Sequence, residues 1–359
     1  MTKIFPFTLI VAFTFTIAAA QNSSTPEKGL KDYYKNVFTM GVAVSPQALR
    51  GPEAELIKKH FASMTPENSM KMGPIHPEEN RYNWKDADEI VDFAVKNNLK
   101  LRGHALCWHE QTPAWFFKDQ NGNTVSKDVL LARLKSHITE VVTRYKGKVY
   151  AWDVVNEAVA DDSTKFLRES EFYKICGEEF IAKAFEYAHA ADPNAILFYN
   201  DYNSERPNKR DRICKLVKSL KDKGVPIQGV GLQGHWSIYE PSEKELRDAL
   251  NKYSALGVAI QITELDMSIY PWEKFQREKK PGESDAFTPE LEQRQLDQYK
   301  KVFSILREYR NVVTGVTFWN ISDRYTWLDY YPVPGRKNYP LLFDQNLKPK
   351  KAFWEVVKF

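Results

Sequence analysis

The sequence predicts an α/β chain folded as a single-domain (β/α)8 TIM barrel, and three observations carry that expectation. Eight short apolar runs recur, at 38–45, 61–65, 100–106, 149–155, 195–200, 230–234, 259–263 and 313–319. They are continuously apolar rather than alternating, as strands buried on both faces of a parallel sheet must be. Helical patterns fill the segments between them. Polar and aromatic residues then gather just after the strands, at the end where such a barrel builds its site. A doubly wound open sheet shares the first two features, and strand counting alone does not exclude it.

The helices are legible from spacing and caps. Ala87, Ile90, Val91, Ala94 and Val95 fall on one face at i, i+3, i+4, i+7 and i+8. Ser242 and Glu245 form a capping box ahead of Leu246, Ala249, Leu250 and Tyr253, and Gly257 ends that helix. Thr288 and Pro289 read as N-cap and first helical residue of another, with Leu296, Tyr299, Phe303 and Leu306 as its apolar face.

Residues 1–20 stand apart. Lys3 supplies a positive start, 4–20 is nearly all apolar, and Ala18, Ala19 and Ala20 offer small residues before Gln21. That is the layout of a secretory signal peptide. A spanning helix needs about 20 apolar residues, and this run falls short with Pro6 inside it. The expectation is an exported chain, extracellular or periplasmic, with no membrane span after processing. A short lead-in at 21–27 precedes one folded domain at 28–359. A domain of that size buries about three quarters of its unfolded surface and needs no disulfide staples. Three cysteines, Cys107, Cys176 and Cys214, leave at least one unpaired within the chain.

With 51 Lys and Arg against 47 Asp and Glu, and the charges scattered, the chain lacks the basic stripe that nucleic acid requires. The nine Trp are more informative, because flat apolar rings with polar rims suit stacking on sugars.

The residues following the strands converge on one barrel mouth. Glu67, Asn68 and Lys71 come after the second, and His104, Trp108, His109 and Gln111 belong to the third. Asn156 and Glu157 follow the fourth, Asn200, Asp201 and Tyr202 the fifth. Gln233, His235 and Trp236 follow the sixth, Glu264 and Asp266 the seventh, and Trp319, Asn320 and Trp327 the eighth. Carboxylates on strands four and seven face each other across such a barrel. A glycosidic bond needs a proton donor on its leaving oxygen and a carboxylate at the anomeric carbon. Retention of configuration needs the two about 5–5.5 Å apart.

Five ordered stretches carry a family resemblance. Trp152-Asp153-Val154-Val155-Asn156-Glu157 and Ile262-Thr263-Glu264-Leu265-Asp266 resemble the two active-site motifs of glycoside hydrolase family 10, the endo-β-1,4-xylanases. Gly103-His104-Ala105-Leu106-Cys107-Trp108-His109, Gly231-Leu232-Gln233-Gly234-His235-Trp236 and Glu67-Asn68-Ser69-Met70-Lys71 are similar as well, and the likeness runs from about residue 30 to the end.

The resemblance implies Glu157 as acid/base and Glu264 as nucleophile, with xylan or a xylo-oligosaccharide as partner; no cofactor is needed, and a monomer is expected. His235 would donate to Glu264, with Asp266 orienting the imidazole, and Asn156 would contact the sugar 2-hydroxyl. Glu67, Asn68 and Lys71 match a glycone-side cluster, and His104, Trp108, Gln111 and Gln233 match groups around the cleaved sugar. Trp319 and Trp327 match an aromatic pair over the glycone, and Tyr202 would support the leaving side. One position departs from the pattern. The family usually has glycine after the first late tryptophan, and here it is Asn320. Asparagine tolerates left-handed backbone better than most residues, so the turn is expected to survive and the glycone pocket to change.

Two other functions stay open on the residues alone. A barrel glucanase would use the same two carboxylates, although bulky rings beside Glu67, Asn68 and Lys71 leave little room for a hydroxymethyl arm. A non-catalytic carbohydrate-binding barrel would not need both carboxylates with their supports intact. Gly229, Gly231 and Gly234 fit a dinucleotide fingerprint on paper, but no helix opens behind them. They read instead as strand packing and backbone room near His235. His104 and His109 lack the spacing and third ligand of a metal site. The charged segment 270–287 reads as a wall or lid beside the cleft.

Overall fold

The computed structural model describes residues 28–359 together with Met1. The expected leader (1–20) and lead-in (21–27) otherwise lie outside the described residues. Eight parallel strands form the barrel: β1 (Thr39–Val44), β2 (Ser63–Pro66), β3 (Lys100–Trp108), β4 (Val149–Asn156), β5 (Ile196–Asp201), β6 (Gly229–Leu232), β7 (Ala259–Ser268) and β8 (Val313–Phe318). Each pairs with the next, and β1 also pairs with β8, Gly41 opposite Thr317. The sheet therefore closes, which removes the open doubly wound alternative.

The outer helices are α1 (Glu53–His60), α2 (Lys85–Lys96), α3 (Lys127–Arg144), α4 (Glu179–Ala191), α5 (Pro207–Asp222), α6 (Glu243–Ala255), α7 (Pro289–Glu308) and α8 (Lys351–Val356). Their termini follow the predicted chemistry. Ser242 Oγ accepts from the Glu245 amide at 3.2 Å, while Glu245 accepts from the Ser242 amide at 3.0 Å. Each cap of this kind contributes about 1 kcal/mol. Leu246, Ala249, Leu250 and Tyr253 are buried behind it, and each large apolar side chain so buried contributes about 1.5–3 kcal/mol. Thr288 caps α7 with Pro289 as its first residue.

Two predicted helix faces need correction. Val95 is 58% exposed, because at i+8 it has rotated to the edge of the stripe that Ala87, Ile90, Val91 and Ala94 bury. On α7, Leu296 is only half-buried, while Gln295 and Gln298 turn inward. They are retained in the core because their amides donate to the carbonyls of Met267, Tyr339 and Pro241.

All eight predicted strands occur, but their carboxyl ends run differently. β7 continues five residues past the predicted end, so Glu264 and Asp266 lie within it rather than after it. Apolar runs end where the functional residues begin, yet the backbone keeps pairing. Leu265 opposes Phe318, and Asp266 opposes His235 of a short strand, His235–Ser237. The sixth-strand glycines serve packing. A side chain at Gly231 would meet Asn200 Oδ1 at 2.2 Å, and Gly234 adopts φ +77° immediately before His235. Cys107, Cys176 and Cys214 are all free thiols, and burial pushes the latter two up to about 11. Among the described residues no helix is long and apolar enough to cross a membrane.

Candidate active site

The carboxyl ends of the strands open into one cleft of about 1140 Å³, lined by residues from the seven strand ends β2 to β8 and by 270–275. Glu157 sits at the first position after β4 with φ +59°, its amide donating to the Asn200 carbonyl at 2.9 Å. This sharp turn aims its carboxylate into the cleft. Oε1 accepts from Gln233 Nε2 at 2.8 Å and Asn156 Nδ2 at 3.1 Å, and Oε2 from Trp108 Nε1 at 2.9 Å. Three side chains from three strand ends thus fix one carboxyl group.

Glu264 lies inside β7 and is 4% exposed. Oε1 accepts from Asn200 Nδ2 at 2.7 Å, and Oε2 lies 3.2 Å from His235 Nε2. Burial by itself would raise its pKa. The opposing charges of His104, His235 and Lys71, with the His235 hydrogen bond, win and hold it down at about 2. His235 is raised to about 10: burial works against the charged ring, but Asp266, 2.8 Å from Nδ1, and Glu264 outweigh it. Glu264 is therefore an ionised carboxylate facing an imidazolium, which suits a nucleophile. Asp266 is steadied in turn by Trp327 Nε1 at 2.8 Å.

The predicted sugar-facing residues sort into tight and loose members. His104 Nδ1 lies 2.9 Å from Asp153 and 4.0 Å from Glu264, with the Trp319 ring edge-on at 5.4 Å. Lys71 donates to Asn68 at 2.9 Å and lies 4.8 Å from the Trp108 ring. Burial pushes its ammonium pKa down, against the pull of Glu264, Glu67 and Glu157. Glu67 is buried nearby, and Trp327 packs 4.8 Å from His235 with Tyr331 stacked behind it at 5.6 Å. Tyr202 lies outside the network of the carboxylates, held by Arg168 at 2.8 Å and by Asp161, with Lys209 over its ring at 3.4 Å. Gln111 is exposed at the cleft rim, and among the described residues no side-chain hydrogen bond ties it to the others.

Sequence reasoning gave no role to three residues that hold this site, although Asn200 and Thr263 were among those at the strand ends. Asn200 bridges the two halves, donating to Glu264 and, at 2.9 Å, to Asn156 Oδ1. Thr263 donates to Asn200 Oδ1 at 2.6 Å. Arg102, fully buried at the barrel's centre, pairs through both nitrogens with Asp153, which carries His104. The available signal was a charged residue inside an apolar strand, Arg102 in β3. A role for Asn200 could have been read from its place near the end of β5, directly opposite Asn156. The wall expected of 270–287 is present, since Tyr270 to Phe275 line the cleft. Arg277 and Arg336, each paired with both Glu273 and Glu283, hold it in place.

The comparisons agree with this geometry. The family described as Glycosyl hydrolase family 10 matches residues 29–359. A "Beta-1,4-xylanase" of Dictyoglomus thermophilum is 52% identical over 98% of this chain and 97% of its own. An "Endo-1,4-beta-xylanase" of Geobacillus stearothermophilus is 48% identical over 93% of this chain and 99% of its own. The crystal structure of xylanase XynB from Paenibacillus barcinonensis, complexed with a conduramine derivative, superposes with a TM-score of 0.89. It is 47% identical and covers 93% of this chain and 99% of that one. With a closed barrel, two supported carboxylates and a match over nearly its whole length, this chain belongs to glycosyl hydrolase family 10.

Proposed function

We propose that the protein is an endo-β-1,4-xylanase acting with retention, Glu157 as acid/base and Glu264 as nucleophile. The observation that carries the reading is the unequal support of the two carboxyl groups. Glu264 faces an imidazolium and a buried ammonium that keep it ionised, whereas Glu157 receives only neutral N–H donors from Gln233, Asn156 and Trp108.

In the first displacement Glu264 attacks the anomeric carbon while Glu157 gives its proton to the departing glycosidic oxygen. A covalent xylosyl–enzyme ester forms and the leaving xylan segment is freed. In the second, the Glu157 carboxylate takes a proton from water as that water attacks the same carbon. Glu264 is expelled, and two inversions give net retention. Asn156 is suited to hold the sugar 2-hydroxyl, a contact that strengthens as the oxocarbenium-like state develops.

Xylan is favoured over glucan by the ring wall of the glycone side. Trp327 is pinned by Asp266 and backed by Tyr331, and the buried Trp319 lies beside His104, so a hydroxymethyl arm finds little clearance. Internal cleavage is supported by the cleft continuing on the far side, past Tyr202 to Arg206 and the exposed ring of Trp272. We read the enzyme as exported through residues 1–20, from their composition, and as a monomer, since the cleft is complete within one chain.

Reducing-sugar release on glucuronoxylan and on soluble cellulose tests the reading, with Glu264→Ala as control. Release from xylan alone, lost in the variant, is expected. Equal release from cellulose would make it a glucanase, and release from neither would leave a binding protein.

A further inference from the structure

Asn320 follows Trp319 directly, and its backbone has φ +102°, a conformation that favours glycine. The residue is 4% exposed, and its side chain is engaged at both ends. Nδ2 donates to Glu67 Oε2 at 3.0 Å, and Oδ1 accepts from the Trp327 amide at 3.4 Å. A turn of this kind needs neither bond. Glycine would make it with less strain, so the asparagine side chain has a use beyond the turn.

The bonds define that use. Glu67 is buried and belongs to the cluster assigned to the glycone, and its other side-chain donor, the Tyr325 hydroxyl, stands at 3.5 Å. Trp327 donates its indole N–H to Asp266, which carries His235 and through it Glu264. Asn320 therefore closes an unbroken run of contacts from Glu67 through Trp327 to the nucleophile.

We propose that Asn320 is a positioning residue for the glycone sugar, clamping Glu67 and the Trp327 backbone into one unit and so setting affinity at that side of the cleft. The inference rests on the xylanase reading. It requires affinity rather than bond cleavage to respond to loss of the side chain, because Trp327 keeps its separate bond to Asp266. Glu67 is also faced by Lys71, Tyr325 and Glu264. Burial raises its pKa, and the Asn320 hydrogen bond is one of the contacts that oppose this. Removing the side chain should let Glu67 take up a proton sooner on acidification.

The test is steady-state hydrolysis of p-nitrophenyl β-xylobioside across pH by wild type, Asn320→Gly and Asn320→Asp, with thermal melts alongside. Asn320→Gly, relieved of the positive-φ side chain, should melt no lower than wild type. Its KM should rise about tenfold with kcat within about twofold, the rise growing toward acid pH. Asn320→Asp keeps an acceptor for the Trp327 amide but sets a second carboxylate against Glu67. Its KM should be worst at neutral pH and recover on acidification as the pair shares a proton. A KM for Asn320→Gly within about twofold of wild type at every pH would overturn the proposal. So would a fall in melting temperature and kcat together with KM unmoved, which would mark a purely structural turn. A wild type inactive on the aryl xylobioside would overturn the xylanase reading and this inference with it, whereas an active wild type with an unchanged variant sinks this inference alone.

Discussion

Asn200 Nδ2 donates to Glu264 Oε1 at 2.7 Å, and the same nitrogen lies 2.9 Å from Asn156 Oδ1. The Thr263 hydroxyl bonds Asn200 Oδ1 at 2.6 Å, so the Asn200 amide is held one way round. With its own Oδ1 taken, Asn156 in turn presents Nδ2 to Glu157. One asparagine thus orients groups at both carboxylates. Asn200→Ala should lower kcat about 100-fold on xylan with KM little changed, since it misplaces reacting groups without touching the sugar-binding walls. Parallel kcat and KM measurements check this, and an unchanged kcat would remove Asn200 from the mechanism.

Loss of either carboxyl group should leave a different signature. Glu264→Ala should lower kcat about 10⁴-fold or more on every substrate, and added azide should yield the α-xylosyl azide by a single inversion. Glu157→Ala should cleave aryl xylosides with good leaving groups far better than xylan, and azide should there give the β product. Product anomers read by NMR distinguish the two, and exchanged outcomes would exchange the assignments.

The His235 imidazolium predicts an acid limb that can be moved. Glu264 is held at about 2, well below the ordinary carboxylate value, so it stays ionised through the mildly acid range. His235→Asn removes the charge, and the acid limb of kcat/KM should rise by about one unit or more. Stability gives the second readout. A histidine raised to about 10 stabilises the fold fully below its ordinary 6.5 and progressively less as pH climbs toward 10. Denaturant midpoints of wild type should therefore fall between those values, and those of the variant should be flatter there.

Arg102 and Asp153 are both fully buried, and Arg102 also donates to Gln261 at 3.1 Å. Arg102→Leu strands a carboxylate in the barrel interior and should cost about 3–5 kcal/mol. Arg102→Leu with Asp153→Asn should recover much of that stability but little activity, because His104 then loses its charged partner. Chemical denaturation of the two variants measures the difference, and a double variant no more stable than the single would refute the pairing argument.

The barrel is legible in the sequence because burial on both faces forces strands to be continuously apolar, and caps such as Ser242 and Thr288 announce helix starts. The same logic misplaced strand ends. Hydrophobicity stops at Thr263, but β7 carries Glu264 and Asp266 onward because backbone pairing is indifferent to side-chain polarity. The helix period likewise placed Val95 and Leu296 inward by extrapolating one stripe, and tertiary packing chose Gln295 and Gln298 instead.

Residue types and their order along the chain determined the family, the two carboxylates and the aromatic wall, since these are local properties that a strand end displays directly. What only the tertiary structure decided is which groups touch. Asn200 and Thr263, Asp153 beneath His104, and Asn320 against Glu67 are pairs separated by 63, 49 and 253 positions. Their contacts arise because barrel closure brings different strand ends to one mouth, and hydrogen bonds there depend on angles and ångströms that sequence spacing does not encode.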